Sequence, residues 1–125
     1  MIGLEGRQTG FIALKCMEKL QLFKEEQILF AEKTGKTTVT VSLLDGKLVH
    51  TSTTLRDILQ QCSPWITKVN RSQIVNFRWV LSMRCDLYIY GNYTIQLYNC
   101  KQPIHASRMY AKQCFQMLTG KQLRQ

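Results

Sequence analysis

The sequence predicts a mostly β domain in which short antiparallel strands form small sheets, with one short central helix and a second helix at the C-terminus. Apolar and polar residues alternate along most of the chain, turn residues separate the alternating segments, and a helical period appears only twice. The 125 residues, 45% of them hydrophobic, suffice for one domain with a core. We expect residues 1–10, which contain three glycines, to be a linker or N-terminal tail, and residues 11–125 to form the domain.

The first half of the chain contains five segments in which apolar and polar residues alternate, and each predicts a strand. The segments cover residues 11–15, 20–23, 28–32, 37–44 and 47–52. In the fourth segment Val39, Val41 and Leu43 occupy one face and threonine or serine the other, which is typical of a half-buried strand. Asp45 and Gly46 follow it and predict a tight hairpin turn into the fifth strand.

Residues 53–62 change to a helical period and predict one short amphipathic helix. Its apolar residues follow the spacing i, i+3, i+4, i+7: Leu55, Ile58, Leu59 and Cys62. Thr54 is placed to cap the N-terminus, and Asp57 suits the first turn because a helix N-terminus attracts negative charge. We expect Pro64 to end the helix, since the residue before a proline is disfavoured in the α region.

Residues 68–76, KVNRSQIVN, mix aliphatic and polar side chains in a pattern that suits neither a core nor a loop. We interpret this segment as a rigid support for polar groups that face a partner. Val69, Ile74 and Val75 would anchor the segment in the domain, and the polar side chains between them would remain available for contact.

Alternation returns over residues 78–84 and 86–99 and predicts further β structure. Gly91 and Asn92 are expected to form the hairpin turn between the two strands of the second segment. The apolar side chains expected in this hairpin are Leu87, Ile89, Ile95 and Leu97.

The chain ends in a predicted strand at residues 102–106 and a predicted helix at residues 108–118. Pro103 marks the strand as an edge strand or as a strand start, because proline has no N–H for a ladder. Ser107 is a plausible N-cap, and Gly120 is expected to stop the helix. One apolar stripe runs along the helix: Tyr110, Cys114, Met117 and Leu118.

The net charge of +9 is concentrated in the second half of the chain. Residues 1–62 contain 8 lysines and arginines against 7 acidic residues, whereas residues 63–125 contain 9 against 1. A region of one sign attracts polyanions such as nucleic acid, an anionic membrane surface or an acidic protein. No apolar run approaches the roughly 20 residues needed to cross a bilayer, and the first residues lack the apolar core of a secretory signal, so we expect no membrane partner.

The composition does not indicate a metal site or an enzyme. The five cysteines are odd in number and never form a Cys-x-x-Cys pair, which favours reduced thiols in a cytosol, and the two histidines are too scattered for a zinc site. Motifs of nucleophile elbows, phosphate-binding loops, zinc proteases and dinucleotide sites are absent from the sequence, and acidic residues are scarce in its second half. We therefore expect no catalysis and no cofactor.

Side chains that suit nucleic-acid contact are clustered around residues 36–38, 68–72 and 107–112. Lysine and arginine neutralise phosphates, hydroxyl groups donate to phosphate oxygens, and the amide of Asn70 can pair with a base edge. The cations of these clusters include Lys68, Arg71, Arg108 and Lys112, and the hydroxyl groups include those of Thr37, Thr38, Ser72 and Ser107. Together with the charge asymmetry, they favour a nucleic-acid-binding surface.

The order of these segments resembles the LytTR-type DNA-binding domains over residues from about Phe11 to Leu118. The segments that carry the resemblance are ILFAEKTGKTTVTVSLLDGK, TTLRDIL, WITKVNRSQIVN and PIHASRMYAKQCFQML, in that order. The resemblance implies a mostly β fold and the output domain of a bacterial response regulator in a two-component system. It also implies that side chains on loops between strands, rather than a recognition helix, enter the major groove of DNA at two successive turns.

Transferred position by position, the resemblance implies base contacts from three loops, and phosphate contacts from the second loop and the C-terminal helix. The implied residues of the base-reading loops are Lys36, Thr37, Thr38, Asn70, Arg71, Ser107 and Arg108. The implied phosphate contacts are Lys68, Ser72, Tyr110 and Lys112. The sequence thus predicts a regulator that binds double-stranded DNA in the bacterial cytoplasm.

Two other kinds of partner remain open. A single-stranded nucleic acid or RNA could stack on tyrosines exposed on a basic sheet. The tyrosines in question are Tyr88, Tyr90, Tyr93 and Tyr98. Alternatively, a protein could add a strand to an exposed sheet edge. For a duplex-binding domain, we also consider a receiver or sensor domain in a longer parent protein, and a dimer on tandem DNA sites.

Overall fold

The computed structural model describes the backbone of residues 10–123 and the side chains of residues 10–120, so the predicted tail lies outside it apart from Gly10. This part of the chain contains ten strands and two α-helices, and the predicted mostly β fold class is confirmed. The strands are β1 (Phe11–Cys16), β2 (Lys19–Lys24), β3 (Ile28–Lys33), β4 (Val39–Leu43), β5 (Leu48–Thr51), β6 (Ile66–Asn70), β7 (Gln73–Asn76), β8 (Val80–Cys85), β9 (Tyr93–Leu97) and β10 (Ile104–Ala106). The helices are α1 (Leu55–Gln61) and α2 (Arg108–Leu123).

Five strands form a central antiparallel sheet in the order β5-β4-β3-β7-β6. In the middle of this sheet, Ala31 of β3 pairs with Val41 on one side and with Ile74 on the other. The segment at residues 68–76 contains most of the β6–β7 hairpin, which turns at residues 71–72. Because β7 is paired on both sides, this turn is held in a fixed position.

The central sheet separates two apolar cores, because successive side chains of a strand point to opposite faces. Ile74 belongs to the core that β1, β2 and α1 complete. Val69 and Val75 belong to the other core, which β8, β9, β10 and α2 complete. All three side chains are fully buried, so their predicted anchoring role is confirmed.

Two smaller antiparallel sheets flank the central one. The strands β1 and β2 form a hairpin, and β8, β9 and β10 form a sheet in the order β10-β9-β8. In the second of these sheets Tyr93, the first residue of β9, pairs with Cys85 at the end of β8 and with Ala106 at the end of β10. The connection between β8 and β9 therefore lies at the same end of the molecule as the start of α2.

Both helices form as their apolar periods predict. The hydroxyl oxygen of Thr54 accepts a hydrogen bond from the Asp57 N–H (3.1 Å), which confirms Thr54 as the N-cap of α1. The stripe predicted on α2, including the buried Cys114, packs against the core of the three-stranded sheet. The helix α2 does not stop at Gly120 but continues to Leu123.

The predicted hairpin around Gly91 and Asn92 is wrong about its first strand. The alternation suggested that Leu87 and Ile89 lie in a strand, but residues 86–92 form a seven-residue connection in which these side chains are 88% and 54% exposed. The strand partner of β9 is instead β8, in which Met83 pairs with Ile95. The Asp86 carboxylate ends the strand, because it accepts hydrogen bonds from backbone N–H groups that a ladder would need.

A buried polar cluster ties β7 to the segment before β3. Glu25 accepts a hydrogen bond from the Ser63 N–H (2.7 Å) and forms an ion pair with Arg78. Burial by itself raises the pKa of Glu25, but the hydrogen bonds from Ser63 and Arg78 outweigh burial and lower the pKa below its ordinary value. The fully buried Asn76 donates to the carbonyl oxygens of Glu25 and Ile28 and accepts from the Arg78 N–H.

Candidate nucleic-acid interface

Several connections meet at one end of the central sheet, because its strands are antiparallel. Lys33 at the end of β3 pairs with Val39 at the start of β4, and the Lys33 N–H donates to the Ser72 carbonyl (2.8 Å). The Ser107 N–H, just before α2, donates to the carbonyl of Val69 in β6 (3.0 Å). We call this surface the loop end and define it as residues 33–38, 52–54, 70–72 and 107–108.

The side chain of Asn70 holds the turn at residues 71–72 in place. Its Nδ2 donates to Gln73 Oε1 and to the His105 carbonyl, both at 2.7 Å. Its Oδ1 accepts from the N–H and the hydroxyl of Ser72, at 2.9 and 3.2 Å. An amide offers two donor hydrogens and two lone pairs, so its hydrogen-bonding capacity is used within the protein. The geometry favours a positioning role for Asn70, beside the exposed Arg71.

The loop at residues 34–38 is compact and presents its polar side chains outward. The N–H groups of Thr34 and Gly35 both donate to the Thr38 carbonyl, at 3.0 and 3.2 Å. The hydroxyl groups of Thr34 and Thr40 share a hydrogen bond of 2.8 Å, and the latter also contacts His50 Nδ1 at 3.0 Å. These bonds shape the loop from within and leave the side chains of residues 36–37 exposed.

A shallow cavity of about 360 Å³ joins the first two predicted contact loops. Predicted residues from both loops line it: Lys36, Thr37, Thr38, Lys68 and Arg71. The sequence prediction missed Lys33, Ser52 and Thr54, which also line this cavity. Lys33 was detectable as the cation next to the predicted loop, but the two hydroxyl residues come close only through the pairing of β5 with β4.

The third predicted contact lies next to the second, where α2 begins. The Arg108 N–H donates to Asn92 Oδ1 (3.0 Å), and the Arg108 side chain passes over Gly91 so closely that a Cβ there would lie 2.9 Å from it. The Lys68 ammonium sits 5.9 Å from the centre of the Tyr110 ring, which links the second contact to α2. Arg108 and the exposed Lys112 line a second cavity of about 400 Å³.

Six cations lie at the loop end or immediately beside it. They are Lys33, Lys36, Lys68, Arg71, Arg108 and Lys112. Among residues 10–120, none of the six forms an ion pair with a carboxylate within 4.0 Å, because the ion pairs found there involve Lys47, Arg78 and His105. Their charge is therefore available to a polyanion.

The tyrosines that stacking on single-stranded nucleic acid would require do not form a platform on a sheet. Tyr88 and Tyr90 are 93% and 88% exposed, but they lie in the connection between β8 and β9. Tyr93 packs edge-on against Phe115, with ring centres 4.7 Å apart. Tyr98, which is 50% exposed, follows β9 directly and packs beside Trp79, with ring centres 5.8 Å apart. The structure thus places the two most exposed tyrosines on a loop, and one of them, Tyr90, lines a cavity together with Arg108.

Over the described ranges, no group of three or more histidine, cysteine, aspartate or glutamate side chains could hold a metal ion. Neither helix, as far as residue 123, is long and apolar enough to cross a membrane.

Comparisons with known proteins give independent findings on the family and the fold. The family model described as LytTr DNA-binding domain matches residues 18–119. A solved LytTr DNA-binding domain from Bacillus cereus has a similar fold, with a TM-score of 0.69 and 14% sequence identity, over 88% of this chain and 97% of that chain. No curated protein sequence matches the chain.

Proposed function

Because the chain belongs to the LytTr DNA-binding domain family, we propose that it binds double-stranded DNA in a sequence-specific manner as part of a bacterial transcriptional regulator. The observation that most supports this proposal is the loop end, where six cations that form no carboxylate ion pair within residues 10–120 lie on or beside three backbone segments joined by hydrogen bonds. Fixed supports favour specificity, because a side chain that is already ordered loses less entropy on binding.

The size of the domain is close to one turn of the DNA helix. A domain of this length is about 35 Å across, from the scaling of compact chains, and one turn of B-DNA is about 34 Å. We propose that residues 36–38 and Arg71 enter one major groove and that Arg108 enters the next one along the same side of the duplex. Lys68, Ser72 and Lys112 would contact the phosphates between them, with Ser107 and Tyr110 nearby.

The roles proposed for Arg71 and Asn70 differ. An arginine can form a bidentate pair with a guanine edge, and Arg71 is exposed at the tip of a hairpin that is paired within the sheet. The amide of Asn70 is occupied by Ser72, Gln73 and His105. We therefore assign base reading to Arg71 and the positioning of its turn to Asn70.

To test the proposal, binding sites are selected from a random duplex pool, and the affinity of the protein for the selected site is measured by fluorescence anisotropy. Arg71→Ala should weaken binding to the selected site by about 1–3 kcal/mol and relax preference at one base position. Lys112→Ala should weaken binding to all duplexes evenly, as expected for a phosphate contact. Lys101→Ala is the matched control, because this exposed lysine lies between β9 and β10, away from the loop end.

Salt dependence provides a second measure of the same interface. If the interface neutralises about four to eight phosphates, the logarithm of the association constant should fall with the logarithm of salt concentration with a slope of about −4 to −7. A slope near zero would exclude binding to a polyanion, and equal losses for Lys101→Ala and Arg71→Ala would exclude the loop end as the interface.

We also propose the kind of protein in which this domain works. The Bacillus cereus domain of similar fold is described as part of a DNA response regulator. We propose that this chain works in the bacterial cytoplasm under the control of a receiver or sensor domain in a two-component system, and that two copies can occupy tandem DNA sites. This is tested by measuring the mass of the protein–DNA complex on a duplex with one site and on a duplex with two tandem sites.

A further inference from the structure

We propose that the connection between β8 and β9, residues 86–92, is a fourth DNA-contacting element that packs apolar side chains against the sugar–phosphate backbone of the minor groove beyond Arg108. We call these residues the tyrosine loop. The inference rests on the proposed duplex binding and extends it to a flank that the three predicted loops do not reach.

The position of the tyrosine loop places it beside the proposed interface. Tyr93 pairs with Ala106, and Ser107 follows directly, so the loop projects from the same end of the molecule as the start of α2. Asn92 and Gly91 of the loop contact the backbone N–H and the side chain of Arg108. A duplex that contacts Arg108 would therefore pass close to the tyrosine loop.

The tyrosine loop is held together by its own hydrogen bonds. The Asp86 carboxylate accepts from the N–H groups of Tyr88 (2.8 Å) and Ile89 (3.1 Å), which holds the pKa of Asp86 below its ordinary value. Backbone bonds close the loop from Asp86 N–H to the Asn92 carbonyl (2.9 Å) and from Asn92 N–H to the Ile89 carbonyl (3.2 Å). Its side chains are therefore presented on an ordered backbone.

The exposed side chains of the tyrosine loop are large and apolar. Leu87, Tyr88, Ile89 and Tyr90 are 88%, 93%, 54% and 88% exposed. Four such neighbours form a contiguous apolar surface, which marks an interaction site when its edge is polar. Here the edge includes Arg108 and Lys112, and the loop's own acid, Asp86, is bonded to the loop backbone.

This combination of chemistry suits DNA. Many proteins that bind the minor groove insert apolar side chains into it, and tyrosine hydroxyl groups donate to phosphate oxygens. Cations at the edge of the loop favour an anionic partner over an uncharged one. Because the exposed surface of the tyrosine loop adjoins Arg108, the partner that fits it is the DNA flanking the groove that Arg108 enters.

The test compares the wild-type protein with a Leu87→Ser/Tyr88→Ser variant on two duplexes. Both duplexes contain the selected site, and one is truncated at the last base pair of the Arg108 groove. The variant should bind the long duplex about tenfold more weakly than the wild type, because its apolar contacts are lost, and should equal the wild type on the truncated duplex. Leu48→Ser is the control, since Leu48 is 60% exposed at the far end of β5.

The outcomes separate the tyrosine loop from its alternatives. Equal weakening on both duplexes would overturn the flank contact and leave the loop only as a support for Arg108. Unchanged affinity together with reduced self-association in sedimentation would overturn it in favour of a second protein copy. If the wild type bound neither duplex, duplex binding itself would fail, and the flank contact with it.

Hydroxyl-radical footprinting of the unmodified protein gives a readout that does not depend on the folding of a variant. Hydroxyl radicals attack deoxyriboses from the minor groove, so a packed flank should show one further protected patch beyond the Arg108 groove. Full cleavage of that flank in a saturated complex would overturn the inference, even if both major-groove patches were protected.

Discussion

Replacing Asn70 with alanine tests whether this side chain positions the turn at residues 71–72 or reads a base. Gln73 is only 8% exposed, so its Oε1 would lose a hydrogen bond that water replaces poorly, at about 1–3 kcal/mol. The remaining partners, Ser72 and the His105 carbonyl, lie at exposed positions, where water can replace the lost hydrogen bonds. Their loss therefore lowers the free energy of unfolding by about 1 kcal/mol in total. We expect Asn70→Ala to lower the free energy of unfolding by about 2–4 kcal/mol.

Urea denaturation followed by circular dichroism measures this change. A small domain unfolds with a slope of about 1–3 kcal/mol per molar urea, so the midpoint should fall by about 1–2 M. Arg71→Ala is the matched control, because this exposed neighbour should change stability by less than about 0.5 kcal/mol while weakening DNA binding. Wild-type stability for Asn70→Ala, combined with relaxed preference at a single base, would refute the positioning role and make Asn70 a base reader.

Three further predictions concern the interior. Asn76→Ala should cost about 3–5 kcal/mol, because two buried carbonyl groups and one partly buried N–H lose their partner; a loss under 1 kcal/mol in urea would contradict this. Because the pKa of Glu25 is lowered by folding, its charge stabilises the protein above its ordinary pKa of 4.5, and this stability is lost as pH falls through the lower folded value. Denaturation curves should show a larger loss of stability at acid pH in the wild type than in Glu25→Gln. Burial raises the pKa of Cys62 to about 12 and of Cys114 to about 11, so a thiol reagent should label Cys85 first and these two only on unfolding; fast labelling of either would argue against the described core.

The strands and the central helix could be predicted because their signals are local. Val39 and Val41 alternate with polar residues, and Thr54 stands one residue before an apolar helical period, so neither prediction needs a distant partner. The burial of Ile74 and Val75 on opposite faces follows from the same period of two.

The tyrosine loop shows where local periodicity fails. Its alternation of Leu87 and Ile89 with tyrosines predicts a strand, but the Asp86 carboxylate binds the N–H groups that such a strand would pair. Gly120 fails for a related reason: glycine ends a helix when it adopts a left-handed conformation, and Gly120 is not among the residues with positive φ. In neither place does the residue pattern show which backbone conformation the chain adopts.

The polar and cationic residue types at the loop end could be read from the sequence, whereas the hydrogen bonds that each of them forms could not. Arg71 and Asn70 are adjacent and both suit a base edge, but only the strand register brings Gln73 and the His105 carbonyl within reach of the Asn70 amide. Ser52 likewise approaches the first contact loop only through the pairing of β5 with β4. Such contacts depend on tertiary structure.

The affinity ratio between the selected duplex and a scrambled duplex of equal length tests sequence-specific binding most directly. Measured for the wild-type protein at physiological salt, with a single strand of the same sequence as a third ligand, this ratio should be about 10³ or more. The single strand should bind no better than the scrambled duplex. Equal affinity for both duplexes, or tighter binding to the single strand, would contradict sequence-specific duplex recognition by this domain.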